Sequence, residues 1–380
     1  MLHVAPSPPL ARCLYEKRGW ALFALAALVI LVVAPLANLV TPEGSFLHLS
    51  DASVALLGKL FCYAMLALAM DLVWGYAGIL SLGHGVFFAL GGYAFGMYLM
   101  RQIGHDGSYH ADLPDFMVFL DWNSFPWFWA YTDHFCYALA LAILAPAALA
   151  CAFGFFAFRS RIKGVYFSII TQALTYAMML LFFRNETGFG GNNGFTDFKR
   201  ILDYPLATPQ TRIILFMLSG GSLLLLLLAS RFIVTSKFGR VLTAIREAES
   251  RVMFCGYDTL SYKLAIWTFS AAICGLAGAL YVPQVGIINP SEMSPAASIE
   301  IAIWTAVGGR GTLIGPLVGA FVVNGAKSLF TAAIPEYWLF FLGLLFVLVT
   351  LLLPKGVIGF FDAPPSARIS LPFTRKEPAS

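Results

Sequence analysis

The sequence predicts an all-α polytopic integral membrane protein of about ten transmembrane helices, some of them broken, with one short helix on the cytoplasmic side. Three observations carry this. Hydrophobic residues make up 59% of the chain and charged residues 12%, against about 25% charged in soluble domains. Apolar runs recur along nearly the whole length, and a span needs roughly 20 mostly apolar residues. Lys and Arg cluster in alternate connections between those runs, as they do where a chain weaves through a bilayer. One soluble core cannot hide so much apolar surface, so lipid is the solvent.

The elements follow in order. Arg12, Lys17 and Arg18 precede the apolar run 20–40. They look like the basic region of a signal peptide, but the run is long enough to span and is read as a retained first helix. Spans are expected at 21–40, 54–74, 87–100, 135–158, 165–183, 213–230, 264–282 and 338–353. The pieces 295–307 and 313–330 are separated by Gly308-Gly309-Arg310-Gly311. They are either two full crossings or broken half-helices, which are tolerated only inside protein. The chain then divides into a cytoplasmic N-terminal tail (1–19), a transmembrane domain (20–360) and a cytoplasmic C-terminal tail (361–380).

Charge sets the orientation. Arg159, Arg161 and Lys163 mark one inside loop. Arg231, Lys237, Arg240, Arg246, Arg251 and Lys263 mark another. Arg310 marks a third, and Lys355, Arg368, Arg375 and Lys376 place the C-terminus inside. The stretch 101–134 carries Asp106, Asp112, Asp115, Asp121 and Asp133 against one Arg. It also holds Trp122, Phe125, Trp127, Phe128 and Trp129, as near an outer interface. Arg184, Lys199, Arg200 and Arg212 fall in a loop that parity places outside, with Glu186, Asp197 and Asp203 beside them.

Several chemistries lack their residues. Gly58-Lys59-Leu60 has neither the upstream glycine spacing nor the Ser/Thr of a phosphate-binding loop. There is no catalytic triad, no metal-ligand spacing and no cofactor motif. The six cysteines are scattered, mostly in apolar runs. The net charge of +4 is small and gives no reason to expect nucleic acid.

Four features remain. The segment 74–93 is dense in glycine and contains His84; it reads either as a broken element lining a path or as tight helix packing. His84 itself is either a path-lining polar group or a satisfied packing residue. Lys59, Asp71, Glu300 and Lys327 lie near spans, sparse and unpaired in sequence, with interface positions expected for Lys59 and Lys327. The loop 183–197, with Gly190, Gly191, Asn192, Asn193 and Thr196, offers backbone and amide groups to a small uncharged solute, or is a turn-rich connector. In the stretch 236–256, Phe238, Val241, Leu242, Ile245, Ala248 and Val252 fall on one helix face, with Arg240, Arg246 and Glu247 mostly off it and Gly256 at the stop. It docks a soluble partner or lies on the inner leaflet.

Taken together, four ordered motifs resemble one family: Gly75-Tyr76-Ala77-Gly78 to Gly91-Gly92-Tyr93; Lys237-Phe238-Gly239-Arg240 to Arg246-Glu247 and Gly256; Tyr262-Lys263-Leu264 to Gly278-Ala279-Leu280-Tyr281; and Gly308-Gly309-Arg310-Gly311 to Gly315-Pro316 and Gly319-Ala320. They are similar to the permease subunits of branched-chain amino-acid-type ABC importers, over about 55–360. Within that family, Gly83-His84-Gly85 and the loop 184–197 resemble the urea-transporting branch.

The resemblance implies a bacterial inner-membrane subunit with no ATPase site of its own. It implies a second homologous permease, two ATPase subunits that bind the ATP, and a periplasmic binding protein. It makes 236–256 a coupling helix, with Phe238, Gly239, Arg240, Ile245, Arg246, Glu247 and Gly256 at the ATPase contact. It puts His84, Gly190, Gly191, Asn192, Asn193 and Thr196 on the solute path or at the binding-protein contact. A branched-chain amino acid is the alternative cargo. A secondary transporter or channel would need paired intramembrane charges or a filter within one chain, and an intramembrane enzyme a nucleophile or metal pair.

Overall fold

A computed structural model describes residues 17–42, 45, 48–162, 164–333, 337, 340, 341, 343, 344, 347 and 356–358. The span expected at 338–353 lies largely outside the described residues, as do Arg12, Lys163, most of the N-terminal tail and the basic C-terminal tail. In chain order the helices are α1 (Gly19–Leu39), α2 (Asp51–Tyr76), α3 (His84–Arg101), α4 (Phe135–Arg159), α5 (Val165–Phe183), α6 (Pro209–Thr235), α7 (Lys237–Phe254), α8 (Thr259–Val285), α9 (Pro295–Gly308) and α10 (Ile314–Ala333). Among the described residues, seven helices are long and apolar enough to cross a membrane; α3, α7 and α9 are not among them. The polytopic helical class therefore holds, and the difference from ten lies in α3, α9 and the undescribed last span.

α3 and α9 depart from simple spans for local reasons. α2 ends in a π-helical turn, Leu72–Tyr76. The chain then runs back without helix over 77–83 before α3 begins. Its polar groups are met by hydroxyls of α5: the Leu82 N–H donates to Thr171 Oγ1 at 3.0 Å, and Ser168 Oγ donates to the Leu80 carbonyl at 2.8 Å. Irregular backbone among apolar helices needs such internal partners. α3 starts at His84, beside Ser270 in the middle of α8.

α9 has 14 residues, about 21 Å at the helical rise, short of a hydrocarbon core of about 30 Å. It opens with a proline in its first turn and Ser294 Oγ accepting the Ala297 N–H at 3.2 Å. Of the two readings for 295–330, the structure gives a short first piece and a 20-residue second helix.

The core forms where α8 packs against α2, α3 and α4. A Cβ at Gly91 would overlap the backbone of Gly275, and one at Gly278 would overlap the Phe88 carbonyl. These glycines bring α3 and α8 into backbone contact. The glycine-rich segment thus divides: 77–83 is non-helical, and Gly91 is a packing position. Trp267 is fully buried, and its indole N–H donates to the Ala150 carbonyl at 2.9 Å, tying α8 to α4.

The connections gather at two ends. One end holds 77–79, the α4–α5 turn, α7 and the glycine turn 309–313. The other holds Asp51, residues 102–134 and the loop 184–208. Of the four basic residues that sat awkwardly with charge parity, three face a carboxylate there and Lys199 meets a backbone carbonyl. Arg212 lies 3.6 Å from Asp51, Arg184 lies 3.6 Å from Glu186, Arg200 pairs with Asp106, and Lys199 donates to the Asp106 carbonyl.

Candidate functional site

α7 was expected to dock a soluble partner or to lie on the inner leaflet. Leu242, Ile245 and Val252 of its apolar face are buried within this chain, and Phe238 stacks on Tyr262 of α8 with ring centroids 5.1 Å apart. Gly239 is buried because a Cβ there would overlap the Val234 backbone, so the turn between α6 and α7 closes only on glycine. The outward surface is polar and aromatic instead. It carries Arg240, Glu247, Ser250 and Arg251, then Phe254 at 92% exposure and Gly256 at φ +84.

α7 also kinks. Ala248 has φ −157 and ψ 74 within the helix. The residues on its two sides consequently face different structures. Before the kink, Arg246 donates through Nη1 to the Gly75 carbonyl and through Nε and Nη2 to Glu247 at 3.0 and 2.7 Å. Beyond it, Glu249 pairs with Lys263 of α8, with side chains only 17% and 10% exposed, and accepts from Thr259 at 3.3 Å. Gly78, at φ +74, lies against the Arg246 side chain. A cavity of about 360 Å³ beside them is lined by Gly78, Phe167, Arg246 and Glu249.

One further link joins the glycine turns. Asp71, fully buried at the end of α2, accepts the Gly311 N–H at 2.5 Å and the Leu313 N–H at 3.2 Å. Arg246, Gly75, Asp71 and Gly311 thus form a continuous polar chain from α7 to the α9–α10 turn. Sequence reasoning missed Gly75 as a member of this polar chain, and missed the separate Glu249–Lys263 pair. The available signal was a lone aspartate ending an apolar run four residues before a glycine.

At the opposite end, the loop 184–197 is held open by glycines. Gly188, Gly190, Gly191 and Gly194 all have positive φ. Phe195–Thr196 pairs antiparallel with Ile287–Ile288, anchoring the loop beyond α8. Residues 102–134 clamp the other side: Trp129 donates from its indole to the Gly188 carbonyl at 3.0 Å, and Phe128 stacks on Phe189. That stretch was expected as an interface belt; most of its aromatic rings cover the loop instead, although Trp127 is 87% exposed. Between them lies a cavity of about 650 Å³ lined by Gly190, Asn192, Asn193 and Thr196 together with Ser108, Asp112 and Asp115. Asn192 and Asn193 are exposed.

His84 does not join these residues. It is 1% exposed, with Nε2 at 2.8 Å from Ser270 Oγ and its ring edge-on to Trp267. Its environment is that of a packing residue, with Nδ1 lacking a partner among the described residues.

The membrane-depth charges are not isolated, against expectation. Lys327 pairs with Glu300 at 2.7 Å, and Lys59 sits 5.5 Å from the Tyr63 ring and 5.9 Å from the Tyr281 ring. Spacing in sequence hid the Lys327–Glu300 and Lys59–Tyr281 contacts because they join different helices, whereas Lys59 and Tyr63 lie four residues apart on α2.

Comparison with known proteins places this architecture. The chain is 26% identical over 362 residues to the high-affinity branched-chain amino acid transport system permease protein LivM of Salmonella typhimurium, covering 89% of this chain and 74% of that protein. The same protein of Escherichia coli is 26% identical over 78% of this chain and 67% of its own length. The autoinducer 2 import system permease protein LsrC of Yersinia pseudotuberculosis is 30% identical over 35% of this chain and 39% of its own length. No solved structure matches significantly. Residues 53–350 match the family described as branched-chain amino acid transport system / permease component, and the chain belongs to that family.

Proposed function

We propose that this permease serves an ABC importer that carries urea or a similar small amide across the bacterial inner membrane. The observation that carries the cargo is the loop 184–197. Its four positive-φ glycines turn backbone groups and the exposed Asn192 and Asn193 toward a cavity of about 650 Å³. Urea is neutral and consists almost entirely of hydrogen-bond donors and an acceptor, so amides and backbone groups suit it. The cavity far exceeds one urea and serves as a vestibule beneath a periplasmic binding protein.

In this reading the chain crosses the membrane ten times with both termini in the cytoplasm, beside a second homologous permease. Two ATPase subunits bind ATP and grip the polar outer surface of α7 at Arg240 and Glu247. Their closure shifts α7, and the Arg246–Gly75 bond passes that shift to residues 77–83. Asp71 passes it on to Gly311 and the α9–α10 turn.

The second reading is a branched-chain amino acid cargo, favoured by the printed names of the LivM relatives. Uptake of labelled urea and labelled leucine by the reconstituted complex decides between them. Saturable urea uptake that excess leucine leaves intact supports the amide reading. Leucine uptake with no urea uptake refutes it while leaving the permease assignment standing.

A further inference from the structure

The charges on α2, α9 and α10 converge with two tyrosines into one polar island. Tyr63 donates to the Tyr281 hydroxyl at 3.4 Å, and Tyr281 lies 3.2 Å from Glu292 Oε1, just before α9. Lys59 stands over both rings and within the fields of Glu292, Glu300 and Lys327. Glu300 and Lys327 close the far side at 2.7 and 2.9 Å. The Trp304 ring lies 4.9 Å from that of Tyr63, and its indole N–H is buried with no partner among the described residues.

Three properties of this island point to a ligand. It is charge-balanced, with two cations and two carboxylates, so it holds no surplus charge to attract an ion. Tyr281 is buried, whereas Lys59, Tyr63, Glu292, Glu300 and Lys327 are half-buried, and α9 and α10 also expose Ile299, Val322 and Leu329. Charges facing hydrocarbon are costly, so this face turns to water, to solute or to the neighbouring permease, and its mixed chemistry favours solute. Its donors and acceptors are mixed at close range: ammonium and hydroxyl groups match a carbonyl, carboxylates match amide N–H groups, and flat rings match a planar molecule.

We infer that Lys59, Tyr63, Tyr281, Glu292, Glu300 and Lys327 form an intramembrane station that binds a small, neutral, planar amide in transit. The inference rests on the proposed amide cargo and adds the place where that cargo is held.

The test uses the complete reconstituted transporter, with labelled urea as probe. Lys59→Met, Tyr281→Phe and the charge-neutral double variant Glu300→Gln/Lys327→Met are compared with the unaltered complex. Copurification with the partner subunits reports assembly. Uptake at low urea should fall roughly tenfold or more in Lys59→Met, as for loss of a charged hydrogen bond. The apparent KM should rise, and the double variant should be impaired as well. If assembled Lys59→Met and the double variant both take up urea with unaltered KM and rate, the station is overturned while the amide reading stands. If the unaltered complex ignores urea, the amide reading fails, and with it the assignment of this island to an amide.

Discussion

At the residue scale, the decisive contacts join amino acids far apart in sequence. Glu249 and Lys263 are separated by the α7–α8 turn yet form a pair that is mostly shielded from water. Removing one member leaves a desolvated charge, which costs about 3 kcal/mol for a buried pair. Glu249→Ala should therefore lower the thermal midpoint of the purified protein well below that of Glu247→Ala, whose carboxylate is largely exposed. Equal midpoints for the two would contradict the packing of α7 described above. Arg246 and Glu247 were legible as chemistry-bearing residues because they fall off the apolar face. The Gly75 acceptor was not, since nothing in local spacing links positions 75 and 246. His84 was legible as a polar group, and its burial against Trp267 emerged only from the fold. In the outer loop, Asn192→Leu/Asn193→Leu should leave assembly intact and lower urea uptake, because two amides would leave the vestibule wall. Normal uptake with normal binding-protein affinity would remove the loop from both roles.

At the scale of elements, apolar runs gave the helices α1, α2, α4, α5, α6 and α8 to within a few residues. Their length and hydropathy suffice, because the bilayer alone demands them. α3 and α9 were placed equally well, at 87–100 and 295–307, but apolar runs alone did not show that neither is long and apolar enough to cross by itself. The α3 glycines exist for contact with α8, and this gives a direct check. Gly91→Val would drive a side chain into the Gly275 backbone, whereas a Cβ at Gly325 on α10 meets nothing within 4 Å. Overpacking costs about 1–3 kcal/mol. Gly91→Val should thus lower the thermal midpoint clearly, and Gly325→Ala should not. The reverse order would deny the close α3–α8 approach. α7 was recognised by its amphipathic period, but the burial of its apolar face within this chain was not foreseen. Leu242 and Ile245 are buried in this chain, while Arg240 and Glu247 stay exposed, where the proposed ATPase contact would meet them. Charge reversal at Glu247 should preserve insertion and reduce the transport-stimulated ATPase rate of the complex. An unchanged stimulation would discard α7 as the contact.

At the scale of the whole molecule, the two ends differ in chemistry. One end joins α7 to glycine turns through Arg246 and Asp71. The other encloses a cavity lined by Asn192, Asn193, Asp112 and Asp115 under an aromatic clamp. Between them lies a charge-balanced island on α2, α9 and α10. Reporter cysteines at Ser108 and Asn193 should label from the same side of the membrane, because Lys199 and Arg200 both bind Asp106. Labelling from opposite sides would break the topology. The central claim is an amide permease driven by partner ATPases, and energy dependence tests it most directly. Proteoliposomes holding the complete complex are given labelled urea and binding protein, with sodium and proton gradients collapsed. The account predicts urea accumulation above the outside concentration with ATP and none without it. Uptake that stops at equilibration irrespective of ATP, or that requires an ion gradient, would contradict it.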